Sequence, residues 1–416
     1  MKVVGLMSGT SLDGLDAVLL EVLGEEVDDL PWKLLAFTSH PWHPRQKELL
    51  EAALAGGARE VATAHHALGG WSAHGVLRLL ERAGVAPSEV AAVGSHGQTL
   101  WHEPPAVPTA PTSPGEVGNA REGEYGFTLQ VGDPAVMAEI TGIPVVSDFR
   151  SRDMAAGGHG APLVPWPDRV FFSQPRRSRL LQNLGGMGNL TWLPPRGSSE
   201  PLVAFDTGPG VVLLDEAVRL TTQGREQMDE DGRRALRGTV REAWVTGMLS
   251  LPFFRQPPPR STGRELFGRT LLREWLVQWE LDPGREEEWD DLLASLTEVT
   301  ARAAAQATRR WVRPRDVDEV LLTGGGARNP ALVQAFRRRF HPIPVVTGSE
   351  ALGMDPDARE AAAFALLAWA HLKGVCGNAP EATGAHGPRV LGSLTPATPG
   401  GGHAPRLPED GWGEVG

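Results

Sequence analysis

The sequence predicts a mixed α/β protein made of two related halves, and three observations lead there. Short apolar strands alternate with stretches of helical periodicity along most of the chain. A strand pair joined by a glycine turn opens at residues 3–22, and another opens at residues 180–193. A third glycine run, Gly324-Gly325-Gly326, joins a strand to a helix. Two such halves closing on a ligand are the architecture of domain pairs that cleave ATP in a central cleft.

The first half reads element by element. Residues 3–7 and 17–22 are apolar strands around Gly9-Thr10-Ser11-Leu12-Asp13-Gly14-Leu15-Asp16. Residues 34–38 read as a third strand, and 46–55 and 60–83 carry apolar residues at helical spacing. Residues 90–94 are a short buried strand that runs into Ser95-His96-Gly97-Gln98-Thr99. The segment 104–126 is rich in Pro, Thr, Gly and Glu without periodicity, and is expected to be an exposed insertion. Order resumes near residue 128. A helix is expected over 135–141 and a strand over 143–147, which delivers Asp148-Phe149-Arg150.

In the second half, residues 180–184 lead into Asn183-Leu184-Gly185-Gly186 and a return strand. Residues 202–205 deliver Asp206-Thr207-Gly208-Pro209-Gly210 and a helix over 212–220. Helices are expected over 295–311 and 358–371, and a strand over 320–323. The domains are expected at 1–145 and 146–374. The final helix or the 375–397 segment is a candidate to return to the first domain, and 398–416 is expected to be a disordered tail.

Composition narrows the function. At 416 residues the chain is long enough for two or three domains, and a formal charge of −11 disfavours broad nucleic-acid binding. One cysteine, Cys376, leaves no internal disulfide and fits a reducing compartment. No signal-peptide stretch or membrane-length apolar run is seen, so the expected location is cytoplasmic.

The chemistry concentrates at strand ends. Glycine turns expose backbone N–H groups, which cradle phosphates, and three of them at strand ends point to a nucleotide tail. No G-x-x-x-x-G-K-[ST] sequence is present, which disfavours a P-loop. Two readings of Asp206 stand: a turn former or cap ahead of Gly-Pro-Gly, or a general base lining a cleft. His96 is either a satisfied core histidine or a ligand contact. Asp148, Arg150 and Asp153 are either a surface charge cluster or a sugar- and carboxylate-binding edge, since Arg grips a carboxylate bidentately.

Taken together, the motifs resemble one family. Residues 5–16, Gly94-Ser95-His96-Gly97-Gln98-Thr99, Ser147-Asp148-Phe149-Arg150, Gly160-Ala161-Pro162 and Phe205-Asp206-Thr207-Gly208-Pro209-Gly210 are similar to the anhydro-N-acetylmuramic acid kinases. So are Ser261-Thr262-Gly263-Arg264-Glu265, Thr323-Gly324-Gly325-Gly326 and Gly353-Met354-Asp355-Pro356-Asp357, in unbroken order across residues 3–397. The resemblance implies two duplicated actin-like (ribonuclease-H-like) ATPase domains and a homodimer. It implies ATP with Mg2+, and a reaction that opens the internal glycosidic bridge of 1,6-anhydro-N-acetylmuramic acid while phosphorylating its 6-oxygen. It places Asp206 as the base. Gly9, Thr10, Ser11, Leu12, Asp13, Gly14, Leu15, Asp16, Asn183, Gly185, Gly186 and Gly324–Gly326 fall on the nucleotide, and His96, Gln98, Asp148 and Arg150 on the sugar. The chain departs from the family at Val211, where Asn is usual, at His159 for Gln, and at Arg260 for Lys. Three rivals stand beside this reading: a kinase of another hexose or amino sugar, a non-catalytic nucleotide-dependent binding module, and a plain glycosidase.

Overall fold

The computed structural model describes residues 1–9, 12–27, 30–105, 126–258, 260–282, 285–312, 316–348, 355 and 357–398. Contacts divide the chain into two units. One is Met1–Phe171 joined by the segment from Asp357 onward, and the other is Phe172–Pro356.

The first unit opens with β1 (Lys2–Met7), β2 (Gly14–Val22) and β3 (Trp32–Pro41), an antiparallel meander. β4 (Val90–Ser95) then lies parallel to β1 on its other side. β5 (Gln98–Glu103) and β6 (Phe127–Val131) form a separate hairpin. β7 (Val145–Ser147) extends the sheet parallel to β4. In the second unit, β8 (Arg179–Leu184), β9 (Met187–Leu193) and β10 (Val203–Pro209) form the meander. β11 (Glu319–Thr323) and β12 (Val345–Thr347) follow in parallel on the far side of β8. The chain then returns to the first sheet, where β13 (Ser393–Thr395) pairs antiparallel with β7.

Both sheets therefore place their first strand centrally, with a meander on one side and two later parallel strands on the other. That is the ribonuclease-H-like order, and it occurs twice in the chain. The order has a functional consequence. β1, β4 and β7 end at one edge of their sheet, and β8, β10 and β11 at one edge of theirs. Carboxyl ends of parallel strands are where α/β sheets place ligands.

Local chemistry explains the packing. β1 is buried on both faces, with Val3 and Val4 fully enclosed. Leu68, Val76, Leu79 and Leu80 of the Ala58–Ala83 helix share a core with Leu15, Ala17 and Leu19 of β2. The Ala358–Leu372 helix packs against β1, β2 and β4. It comes unusually close because Gly5 and Gly94 have no side chains. A β-carbon at Gly5 would lie 1.9 Å from the Ala361 carbonyl oxygen, and one at Gly94 would lie 2.2 Å from that of Phe364. In the second unit Leu292, Leu293, Leu296 and Val299 of the Glu286–Ala307 helix share a core with Leu180, Leu190, Trp192 and Phe205 of the sheet.

The boundaries expected at 145 and 374 differ from this division for two physical reasons. Val146 extends the first sheet beside Gly94, and Asp168 forms a buried bidentate ion pair with Arg359. The alanine-rich final helix, one of the two segments expected as candidates to return, fits the glycine groove on β1 and β4. The helix expected over 295–311 starts nearer the N-terminus, at Glu286. Its first turn holds Glu286, Glu287 and Glu288, which favour the positive helix start, while Trp289, Leu292 and Leu293 extend the apolar face. Residues 106–125 of the expected insertion and 399–416 of the expected tail lie outside the described residues. Among the described residues no helix is long and apolar enough to cross a membrane.

Candidate active site

In the second unit, the strand ends gather Asn183, Gly185, Gly186, Asp206 and Gly324–Gly326 at one sheet edge. Asn183 faces Thr323 in the β8–β11 ladder, and its Oδ1 accepts from Thr323 Oγ1 at 3.4 Å. The second glycine turn is built against the start of the Val212–Thr221 helix. The Val211 N–H donates to Gly185 O (2.9 Å), and the N–H groups of Gly210 and Val212 donate to Gly186 O (2.9 and 3.1 Å). The carbonyls are thus consumed. Among the described residues neither the Gly185 N–H nor the Gly186 N–H has an acceptor.

Steric surroundings sort the glycines. Gly324 has φ +77°, and a β-carbon on Gly326 would lie 2.8 Å from the Leu184 carbonyl oxygen, so both shape the fold. A β-carbon on Gly186 or Gly325 would meet nothing within 4 Å. Sterics do not demand glycine at those two positions, so the backbone there is open to close approach. The helix that follows the third run, Pro330–Phe340, is already capped: Asn329 Oδ1 accepts from the N–H groups of Ala331 and Leu332. A helix start that follows a glycine run can point its free N–H groups at a ligand. The structure gives it to Asn329, so the glycine run offers a backbone surface instead.

Asp206 is positioned from both sides. Its N–H donates to Arg260 O (3.1 Å), its own carbonyl accepts from Arg260 Nε (2.9 Å), and its Oδ2 accepts from the Thr262 N–H (2.8 Å). Oδ1 has no partner among the described residues. Burial pushes the carboxyl up to about 6, against the Thr262 N–H and Arg260, which favour its charged form. Arg260 itself lies between the rings of Phe205 (5.1 Å) and Phe253 (4.9 Å) and also donates to Phe253 O and Gln256 O. Arg260 and Thr262 are the residues that sequence reasoning did not assign. Their signal was the Arg-Ser-Thr-Gly-Arg-Glu run, which no spacing ties to residue 206.

In the first unit, the opening turn sits at the end of β1. The Leu12 N–H donates to Gly9 O (3.1 Å), and Leu12 has φ +56°, a conformation that costs a branched side chain. Leu12 and Leu15 are buried in the core. A β-carbon on Gly14 would lie 2.3 Å from His40 O. Asp13 is exposed and its carbonyl accepts from the Trp42 N–H (3.0 Å). Asp16 lies in the β2 ladder opposite Met7. Thr10 and Ser11 lie outside the described residues. Gln98 is buried, and its Oε1 accepts from Ser8 Oγ (2.6 Å), so it braces the turn from behind.

The structure joins His96 to Arg150. Arg150 Nε and Nη2 both donate to His96 Nε2 (3.2 and 2.8 Å). Arginine has no acceptor, so Nε2 is the bare nitrogen, and Nδ1–H donates to Gly97 O (2.8 Å). Burial first, then the Arg150 charge, holds His96 down at about 3, so it is neutral. Arg150 also donates through Nη1 to Gly160 O (2.8 Å). Burial lowers its guanidinium to about 10, so it stays cationic at neutral pH. Among the described residues no carboxylate lies within ion-pair distance of it. Asp148 has φ +56°, is exposed, and accepts from Ser151 Oγ, so the structure shows it turning its own loop.

Two duplicated ribonuclease-H-like units, with glycine turns at their strand ends and a half-buried carboxylate in the second, have the fold of the actin-like ATPases of the sugar-kinase type. The family model described as anhydro-N-acetylmuramic acid kinase matches residues 1–397. The chain is 39% identical over 397 residues to the anhydro-N-acetylmuramic acid kinase of Caldanaerobacter subterraneus, covering 94% of this chain and 96% of that protein. It is 41% identical over 396 residues to that of Gloeobacter violaceus, covering 95% and 98%. The chain belongs to the anhydro-N-acetylmuramic acid kinase family. Among solved structures, the activator of the 2-hydroxyisocaproyl-CoA dehydratase from Clostridium difficile with bound ADPNP aligns at 12% identity and a TM-score of 0.41, over 90% of this chain and 96% of that one, and carries no weight in the assignment.

Proposed function

We propose that this chain converts 1,6-anhydro-N-acetylmuramic acid, ATP and water into N-acetylmuramic acid 6-phosphate and ADP, within bacterial cell-wall recycling. The observation that carries the reading is Asp206: one oxygen pinned, the other free, and a carboxyl raised to about 6 beside the phosphate-type turns. A base needs those properties to be ionised yet proton-hungry near neutral pH. Asp206 takes a proton from water as that water bonds to the anomeric carbon. The bond between that carbon and the 6-oxygen breaks. The freed 6-oxygen bonds to the γ-phosphorus, and the bond from that phosphorus to the β-phosphate oxygen breaks to release ADP. Because phosphorus captures the leaving oxygen, no separate general acid is required.

The Gly185 and Gly186 amides, with Gly325, support phosphate binding, and the 9–16 turn is the corresponding element of the first unit. Among the described residues no group of three or more His, Cys, Asp or Glu could hold a metal ion, and in this proposal Mg2+ arrives as part of the substrate MgATP. Arg150 receives the lactyl carboxylate of the sugar, since His96 and Gly160 leave one N–H free on each terminal nitrogen. The proposal includes a cytoplasmic homodimer, which sedimentation at micromolar concentration tests.

The deciding experiment incubates the protein with MgATP and the anhydro sugar in 18O-water. The expected product carries 18O at the anomeric hydroxyl and phosphate on O6. ADP release with glucose or N-acetylglucosamine but not with the anhydro sugar would favour the kinase of another sugar. Ring opening without ADP would favour a glycosidase, and no sugar-stimulated ADP release at all a binding module.

A further inference from the structure

Arg150 is held by a chain of contacts that ends in the C-terminal segment. Gly160, whose carbonyl accepts from Arg150 Nη1, donates its N–H to Asp153 Oδ2 (2.9 Å). Asp153 is fully buried. Its other oxygen, Oδ1, accepts from Asn378 Nδ2 and Thr383 Oγ1, both at 2.8 Å. Asn378 is itself tied down: its Oδ1 accepts from the Arg389 N–H (2.6 Å) and its Nδ2 donates to Gly387 O (3.3 Å). The loop is shaped around the carboxylate. A β-carbon on Gly158 would lie 2.2 Å from Asp153 Oδ2, and Gly160 has φ +67°.

A carboxylate fully buried among neutral donors is an expensive way to join two segments, and no basic side chain pairs with Asp153 among the described residues. An apolar contact would join them at lower cost, and what the carboxylate adds is direction. It fixes the Gly160 backbone, whose carbonyl fixes one arm of the guanidinium while His96 fixes the other.

We propose that Asp153, supported by Thr383 and Asn378, is the positioning residue that aims Arg150 at the carboxylate of the sugar. The C-terminal segment, far away in sequence, thereby sets selectivity for a carboxylate-bearing sugar. This rests on the reading of Arg150 given above.

Steady-state kinetics on the full-length protein test it, at saturating MgATP. The two substrates are 1,6-anhydro-N-acetylmuramic acid and its analogue with the lactyl carboxylate amidated. Thr383→Val keeps the shape and removes one donor to Asp153. The sugar KM of this variant is expected to rise about tenfold for the carboxylate substrate, the worth of one hydrogen bond to a charged group. For the amide it should change less than about twofold, with kcat unchanged on both and the ATP KM, from a separate MgATP titration at saturating sugar, unchanged as well. Thr383→Ser restores the parent values, and Thr383→Val adds nothing on top of Arg150→Gln, as expected for coupled residues. Equal losses on both sugars, a loss confined to kcat, or full additivity with Arg150→Gln would overturn the positioning role while leaving Arg150 in place. If Arg150→Gln costs the two sugars equally, so that the parent's preference for the carboxylate survives, the Arg150 reading falls and this proposal falls with it. Should Thr383→Val not fold, Asn378→Ala is judged by the same criteria.

Discussion

At the scale of single residues, Asp206 is legible as a position and illegible as a chemical state. Its place after a buried strand and before Gly-Pro-Gly is written in the chain, but the same pattern fits a cap. What separates the two is burial, the N–H of Thr262 more than fifty positions away, and an Oδ1 with no partner among the described residues. Asp206→Asn is expected to lower kcat by at least the 10²–10⁴ of a lost general base, with ATP binding by calorimetry largely intact. If Asp206 is the base, kcat/KM of the parent protein is expected to fall on the acid side with a limb near 6, read from a pH–rate profile. The same shift has a stability consequence. The folded carboxyl titrates above its ordinary value of 3.8, so Asp206 contributes stability at low pH that is lost as pH rises through about 6. Relative to the parent, Asp206→Asn therefore gains thermal stability between pH 4 and pH 7.5, read by calorimetric melting. A stability difference independent of pH would contradict the raised carboxyl.

At the scale of elements, the glycines that look alike in sequence have different physical duties. Gly5 and Gly94 let a helix backbone touch a sheet, whereas Gly186 and Gly325 face open space. Gly5→Ala is expected to destabilise the fold by more than the roughly 1–3 kcal/mol of ordinary overpacking, because the obstacle is backbone. Gly186→Ala and Gly325→Ala should keep the parent melting temperature while weakening ATP binding. Urea melts and nucleotide titrations on the three variants check this, and a Gly186→Ala protein that melts early with unchanged affinity would remove the phosphate assignment. Periodicity found most of the long helices and the central strands because those carry a clear apolar face. It missed β12 and β13, which are three residues each, and β5, which pairs only with β6. A three-residue strand carries no period to read, and β7, equally short, was found only through the longer apolar run 143–147.

At the scale of the whole molecule, the chain leaves its first unit at Phe171 and returns at Asp357. The Asp168–Arg359 pair fastens that return, with both groups buried. Arg359→Met strands a buried carboxylate and should cost about 3–5 kcal/mol in urea unfolding, much of it recovered by adding Asp168→Leu. Loss of activity without loss of stability would show the pair to serve the site instead. The duplication, the glycine turns, the order of motifs and so the family were set by the sequence itself, because each is a local pattern of residue types. Tertiary structure alone decided which half owns the last helix, which glycines are spacers and which are openings, that His96 is a neutral acceptor for Arg150, and that one oxygen of Asp206 has no partner among the described residues. Those facts depend on burial and on partners far apart along the chain, and a burial environment has no local signature in the order of residues.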